Sequence, residues 1–130
     1  MTRLLLVDDE PVFRNSLAQR LRIRGYEVAE AANGSEALRA MDQDRTIDLI
    51  ITDLTMPGLR GAHLIREIRN TRPSARIIVL SAYEGEEAPG VWCCLEKPLR
   101  LDDLIRAIES ARAGMAVSGE AAGKDHDTQD

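Results

Sequence analysis

Short apolar runs alternate with amphipathic stretches along the whole chain. Residues 3–8 (RLLLVD), 48–53 (DLIITD) and 75–81 (ARIIVLS) carry continuous apolar runs, the pattern of strands buried on both faces. Residues 26–31 (YEVAEA) alternate only weakly, as an edge strand does. Residues 90–96 (GVWCCLE) read as a further strand from their β-branched, aromatic and cysteine content. Between these runs the spacing becomes helical. Pro11 suits the first turn of a helix, with Val12, Phe13, Leu17, Leu21 and Ile23 as its apolar positions and Gly25 to end it. NGSEALRAM starts with turn residues and continues as a helix with Ala37, Leu38 and Met41 inward. MPGLRG is a loop, and residues 62–70 form a helix with Leu64, Ile65 and Ile68 on one side. A closing helix spans 101–113 on Leu104, Ile105 and Ile108, and from Gly114 the small, polar, acidic tail is expected to be disordered.

Strands alternating with helices predict an α/β fold with a parallel sheet covered on both faces and right-handed crossovers. In such open sheets the working crevice lies at the carboxyl ends of the strands, where strand order reverses. The chain's 130 residues make one domain, and 44% hydrophobic with 30% charged residues is a soluble composition. No apolar run reaches the length of a membrane-spanning helix, and no secretory pattern stands at the start. Cys93 and Cys94 are neighbours, which on a strand point to opposite faces, so the expectation is a reduced chain in the cytoplasm. A net charge of −5 argues against direct binding of nucleic acid by the domain.

Chemistry is therefore sought at the strand ends. The first strand ends at Asp8 and Asp9, the third at Asp53, the fourth at Ser81 and the fifth at Lys97, followed by Pro98. Crowded carboxylates repel by about 1 kcal/mol at 4 Å in water and by more near a protein surface. A divalent cation offsets that repulsion, and magnesium, with one or two carboxylates and retained waters, suits the donor set. It would hold a phosphoryl donor beside Asp53, a carboxylate able to accept the group as an aspartyl phosphate. Lys97 and Ser81 would then hold the phosphoryl oxygens.

VDDEP, DLIITDLTMPGLRG, VLSAYE and LEKPL, in this order, resemble the receiver domain of two-component response regulators over residues 3–113. The resemblance implies a doubly wound, flavodoxin-like sheet of five parallel strands in the order 2-1-3-4-5, with 114–130 as a tail outside the domain. It implies that a partner sensor histidine kinase or phosphotransfer protein phosphorylates Asp53 with magnesium, and that the receiver signals to a downstream protein or a fused output domain. A dimer is compatible with it. Asp8 and Asp9 match the family's acidic pair, and Thr55 matches the residue whose main-chain carbonyl completes the metal site. Ser81 matches the switch hydroxyl, and Lys97 the family lysine, joined to Pro98 by a bond that is usually cis. A receiver turns over no separate substrate, although it helps catalyse its own phosphorylation and dephosphorylation.

Three departures stand out. Cys94 occupies the position where the family usually has Tyr or Phe, and Trp92 lies one pleat away. Ser81 and Lys97 are only 16 positions apart, and the YEGEEAPG between them opposes a helix interior. The usual fourth helix is therefore expected to be short or absent. Arg60 of the MPGLRG loop stands where the family's loops usually carry an acid.

Blander readings stand beside these. Asp8, Asp9 and Glu10 could serve only to cap the following helix. Cys93 and Cys94 read as small buried hydrophobes, Trp92 as packing, and His63 and His126 as solvent-facing. Two alternative functions follow: a pseudo-receiver that binds protein without phosphorylation-driven switching, and a small aspartate-nucleophile phosphohydrolase. The second normally carries another acid two residues after the nucleophile, where this chain has Thr55. A flavin-binding protein of similar topology lacks support, because no hydroxyl-rich phosphate loop follows the first strand.

Overall fold

The computed structural model describes residues 3–53, 61–81, 93–96 and 99–116. Its elements run β1 (Arg3–Val7), α1 (Pro11–Ile23), β2 (Glu27–Ala31), α2 (Gly34–Gln43), β3 (Leu49–Asp53), α3 (Gly61–Thr71), β4 (Arg76–Ser81), β5 (Cys93–Glu96) and α4 (Leu101–Ala116). The five strands form one sheet in the order β2-β1-β3-β4-β5, and every pairing is parallel. The weakly alternating segment is the β2 edge, and the continuous apolar runs are the three interior strands.

Strand parity divides the core into two layers. Leu5, Val7, Ile50, Ile77 and Val79 face Ala37 and Met41 of α2 and Leu64, Ile65 and Ile68 of α3. Leu4, Leu6, Leu49, Ile51, Ile78 and Leu80 face Leu17, Ala18 and Leu21 of α1 and Leu104, Ile108 and Ala111 of α4. Burial on both sides explains why β1, β3 and β4 read as unbroken apolar runs rather than as alternations.

The helix ends follow local chemistry. Pro11 opens α1, and Gly25 lies just beyond its end at φ 99°, with its N–H donating to the Arg22 carbonyl at 3.0 Å. Asn33 caps α2 by accepting the Glu36 N–H at 2.9 Å, while Glu36 reaches back to accept the Ala32 N–H at 2.8 Å.

Two expectations need correction. Val12 and Ile23 do not join the core but are 78% and 83% exposed, because α1 buries the stripe through Leu17, Ala18 and Leu21. The closing helix also continues past Ala113 through Gly114 to Ala116, so the tail does not begin at Gly114. The expected loss of a helix before β5 falls on residues 82–92, and residues 56–60 of the MPGLRG loop, Trp92, Pro98 and His126 likewise lie outside the described residues, while Gly61 opens α3. His63 is exposed, as its place on α3 suggested. Among the described residues, no helix is long and apolar enough to cross a membrane.

Candidate functional site: an acidic cluster at the switch point

The chain leaves β1, pairs back as β2 on one side and crosses to β3 on the other side. Helix α1, which follows β1, packs on one face of the sheet, and α3, which follows β3, packs on the other. The connections therefore diverge between the carboxyl ends of β1 and β3, and a crevice opens there.

Three acids meet at this point. Val7 stands opposite Thr52 in the β1–β3 register, so Asp8 and Asp53 follow on adjacent strands. Asp53 is the last residue of β3, paired across to Leu80 of β4. Carboxylate oxygens of Asp8, Asp9 and Asp53 all lie within 4.8 Å of one another. Asp8 and Asp53 are buried and Asp9 is exposed, so the cluster has two sunken members and one open to water.

The backbone around the acids is held from several directions. The Asp8 N–H donates to the Ala31 carbonyl at 3.1 Å and extends the β1–β2 ladder past Val7. Asp8 Oδ1 accepts the Glu10 N–H at 2.9 Å. The Asp8 carbonyl accepts a hydrogen bond from Arg14 Nη1 at 2.8 Å. Of the capping reading only the Asp8 bond to the Glu10 N–H is present, since Glu10 is the N-cap of α1 and makes no side-chain cap bond of its own.

The donor set fits magnesium. All three ligands are hard carboxylate oxygens, and the group contains no His or Cys to favour zinc. Two ligands on one magnesium ion stand at most about 4.2 Å apart, so small side-chain shifts or a bridging water suffice to share an ion. Exposure of Asp9 leaves room for the waters such an ion retains.

Ser81 ends β4 at the same sheet edge, in register with Glu96 of β5, and only its backbone position is described. Cys94 stands in register with Val79. Thr55 and Lys97 lie outside the described residues. Sequence reasoning did not single out Arg14. A clue existed: a cation in the first turn of a helix opposes the helix dipole, which suggests a specific partner. A neighbouring groove of about 180 Å³ is lined by Phe13, Ser16, Leu17, Arg20, Leu99 and Leu101, and none of the three acids lines it.

A doubly wound parallel sheet with an acid cluster at its switch point, and no glycine-rich loop after β1, sets the chain apart from dinucleotide binders. The model of the response regulator receiver domain matches residues 4–109, and the chain belongs to that family. It is 37% identical over 114 residues to the transcriptional regulatory protein GlrR of Escherichia coli, covering 83% of this chain and 26% of GlrR. The chain thus spans about a quarter of that relative's length. Among solved structures, a receiver domain protein of Clostridium thermocellum superposes with a TM-score of 0.82 at 31% identity, covering 90% of this chain and all of that one. TrrA of Thermotoga maritima, solved in complex with Mg(2+)-BeF, superposes at 0.78 with 35% identity, over 85% of this chain and 99% of its own. TrrA has also been solved in complex with the histidine kinase ThkA; that copy superposes at 0.77 with 35% identity, over 85% of this chain and 98% of TrrA.

Proposed function

We propose that this chain is a phosphoacceptor switch in which Asp53 receives a phosphoryl group from a phosphohistidine on a partner sensor histidine kinase or phosphotransfer protein. The observation that carries the reading is the convergence of Asp8, Asp9 and Asp53 at the switch point of a receiver fold. Asp8, Asp9, Asp53 and the Thr55 carbonyl would hold magnesium. When bound, the ion neutralises charge on the phosphoryl oxygens and on the acids. An Asp53 carboxylate oxygen attacks phosphorus, the phosphorus–nitrogen bond of the donor breaks, and the electron pair returns to the imidazole, which takes up a proton. Lys97 faces the phosphoryl oxygens with its ammonium, and Ser81 donates its hydroxyl to one of them. Hydrolysis reverses the state: water attacks phosphorus and the Asp53 carboxylate leaves. Movement of Ser81 toward the phosphoryl group alters the surface around β4 and β5, and a downstream protein or a fused output domain reads that change. Both steps belong in the cytoplasm, where the donor is made.

The test is titration with magnesium and then beryllofluoride, followed by NMR. Shifts at Asp8, Asp9 and Asp53 that vanish in Asp53→Asn support the reading, and no Asp53-dependent binding removes it. Cys94 in register with Val79 favours a second reading, a pseudo-receiver that binds its partner alike in either state. Equal partner affinity with and without beryllofluoride would select it.

A further inference from the structure

Arg14 is the fourth residue of α1, and its side chain is only 16% exposed. Its Nη1 donates to the Asp8 carbonyl at 2.8 Å, and its Nε donates to Glu30 Oε1 at 3.1 Å. Glu30 is in turn braced, since its Oε2 accepts from Arg22 Nη2 at 3.3 Å. Arg22 Nη2 also donates to the Val28 carbonyl at 2.6 Å, which ties this brace to β2. The Asp8 carbonyl belongs to the peptide joining Asp8 to Asp9. The end of β2 therefore holds the acidic segment twice: the Ala31 carbonyl takes the Asp8 N–H, and neighbouring Glu30 fixes the arginine that grips the Asp8 carbonyl.

We infer that Arg14 and Glu30 form a salt-bridged strut that presets the Asp8–Asp9 peptide for the divalent cation. This rests on the reading of the acids as a magnesium pocket. Three carboxylates at such separations gain by splaying apart, and an untethered peptide would let them. The strut resists that relaxation, so the ion meets donors already in place and less of its binding energy goes into ordering them. The pairing with Glu30 matters as much as the grip. A lone guanidinium beside the pocket would repel the cation, whereas Glu30 offsets the charge of Arg14 while leaving Nη1 directed at the Asp8 carbonyl. Arg14 is thus a positioning residue that touches neither metal nor phosphoryl group. Lysine is no substitute, because a single ammonium lacks the fork that reaches both acceptors.

The experiment compares the wild-type chain with Arg14→Ala, Glu30→Gln and the double variant. It records magnesium Kd from amide shifts of Asp8 and Asp9 at two salt concentrations, and the melting temperature without magnesium. Groups that orient metal ligands commonly change affinity by about tenfold or more when removed. About tenfold weaker binding is expected in Arg14→Ala at either salt. Glu30→Gln should weaken binding similarly at low salt and recover in part at high salt, where the guanidinium charge left without its carboxylate is partly screened. The double variant should be no weaker than Arg14→Ala, because both substitutions disable the same strut. At saturating magnesium, phosphorylation of Arg14→Ala by acetyl phosphate should return to the wild-type rate. Unchanged Kd in Arg14→Ala, with or without a lower melting temperature, would reduce the arginine to a structural brace and overturn the inference. Absence of magnesium binding in the wild-type chain would instead remove the pocket reading, and the strut with it.

Discussion

Replacing Asp9 by Asn removes one of three negative charges whose oxygens lie within 4.8 Å of one another while preserving the side chain's shape. At 4.8 Å the repulsion of one pair is about 0.9 kcal/mol in a water-like dielectric and roughly 3.5 kcal/mol at an effective value near 20. Asp9 is exposed, so the lower figure applies, and of its two neighbours only Asp53 is brought close by folding, since Asp8 adjoins Asp9 in the unfolded chain as well. Screening at about 0.1 M salt removes part of that repulsion. Without divalent ions, Asp9→Asn should therefore be more stable than wild type by about 0.5 to 1 kcal/mol. For a domain of this size that is a rise in melting temperature of about 3 to 6 °C per kcal/mol. Urea unfolding in low-salt buffer containing a chelator measures the gain directly, and added salt should shrink it. Magnesium should reverse the ranking, since a ligand at a hundred times its Kd stabilises the form that binds it by about 2.7 kcal/mol. An Asp9→Asn protein that is less stable than wild type at low salt, or a gain indifferent to salt, would refute the idea that the pocket stores like-charge repulsion.

Other consequences concern the scaffold. Arg72, just past α3, donates to the carbonyls of Met41 at 2.7 Å, Asp44 at 3.2 Å and Arg45 at 3.4 Å, and also to that of Ile47. Arg72→Ala should cost about 2 to 3 kcal/mol in urea unfolding through the stranded acceptors, and a loss below about 0.5 kcal/mol would contradict that. Asn33→Ala should lower stability by about 1 kcal/mol through loss of the α2 cap, measurable by thermal melting. The Tyr26 phenol is pushed from 10.0 up to about 12, first by burial and then by the hydrogen bond and charge of Glu109. Its folded pKa is the higher one, so its contribution is complete below pH 10 and is lost as pH rises through about 12. Tyr26→Phe should lack this alkaline loss. The same substitution should let the Glu109 carboxyl, held low chiefly by Tyr26, rise toward its ordinary value in an NMR titration.

Particular elements show what the sequence could and could not disclose. The interior strands were legible because burial on both faces leaves little room for polar residues, and β2 betrayed its edge position by weak alternation. The acid cluster was legible for a topological reason: parallel strands bring all their carboxyl ends to one edge, so acids distant in sequence meet once strand order is known. The inward stripe of α1 was read too broadly. Val12 and Ile23 lie about a third of a turn around the helix from Leu17, and counting apolar letters ignores that angle. Ala18 takes a core place in their stead, as a small side chain lets the helix approach the sheet closely. Long-range polar contacts were not legible. Arg14–Glu30, Arg72 with the carbonyls after α2, and Tyr26–Glu109 depend on which elements pack side by side, and a lone Arg or Tyr in sequence reads as an ordinary surface residue.

The most direct test of the central claim is intact-mass and peptide analysis of the chain after incubation with acetyl phosphate. The account predicts one added phosphoryl group, located on Asp53, that requires magnesium and disappears in Asp53→Asn. A phosphoryl group that forms equally in chelator, or that maps to another residue while Asp53 stays unmodified, would contradict it.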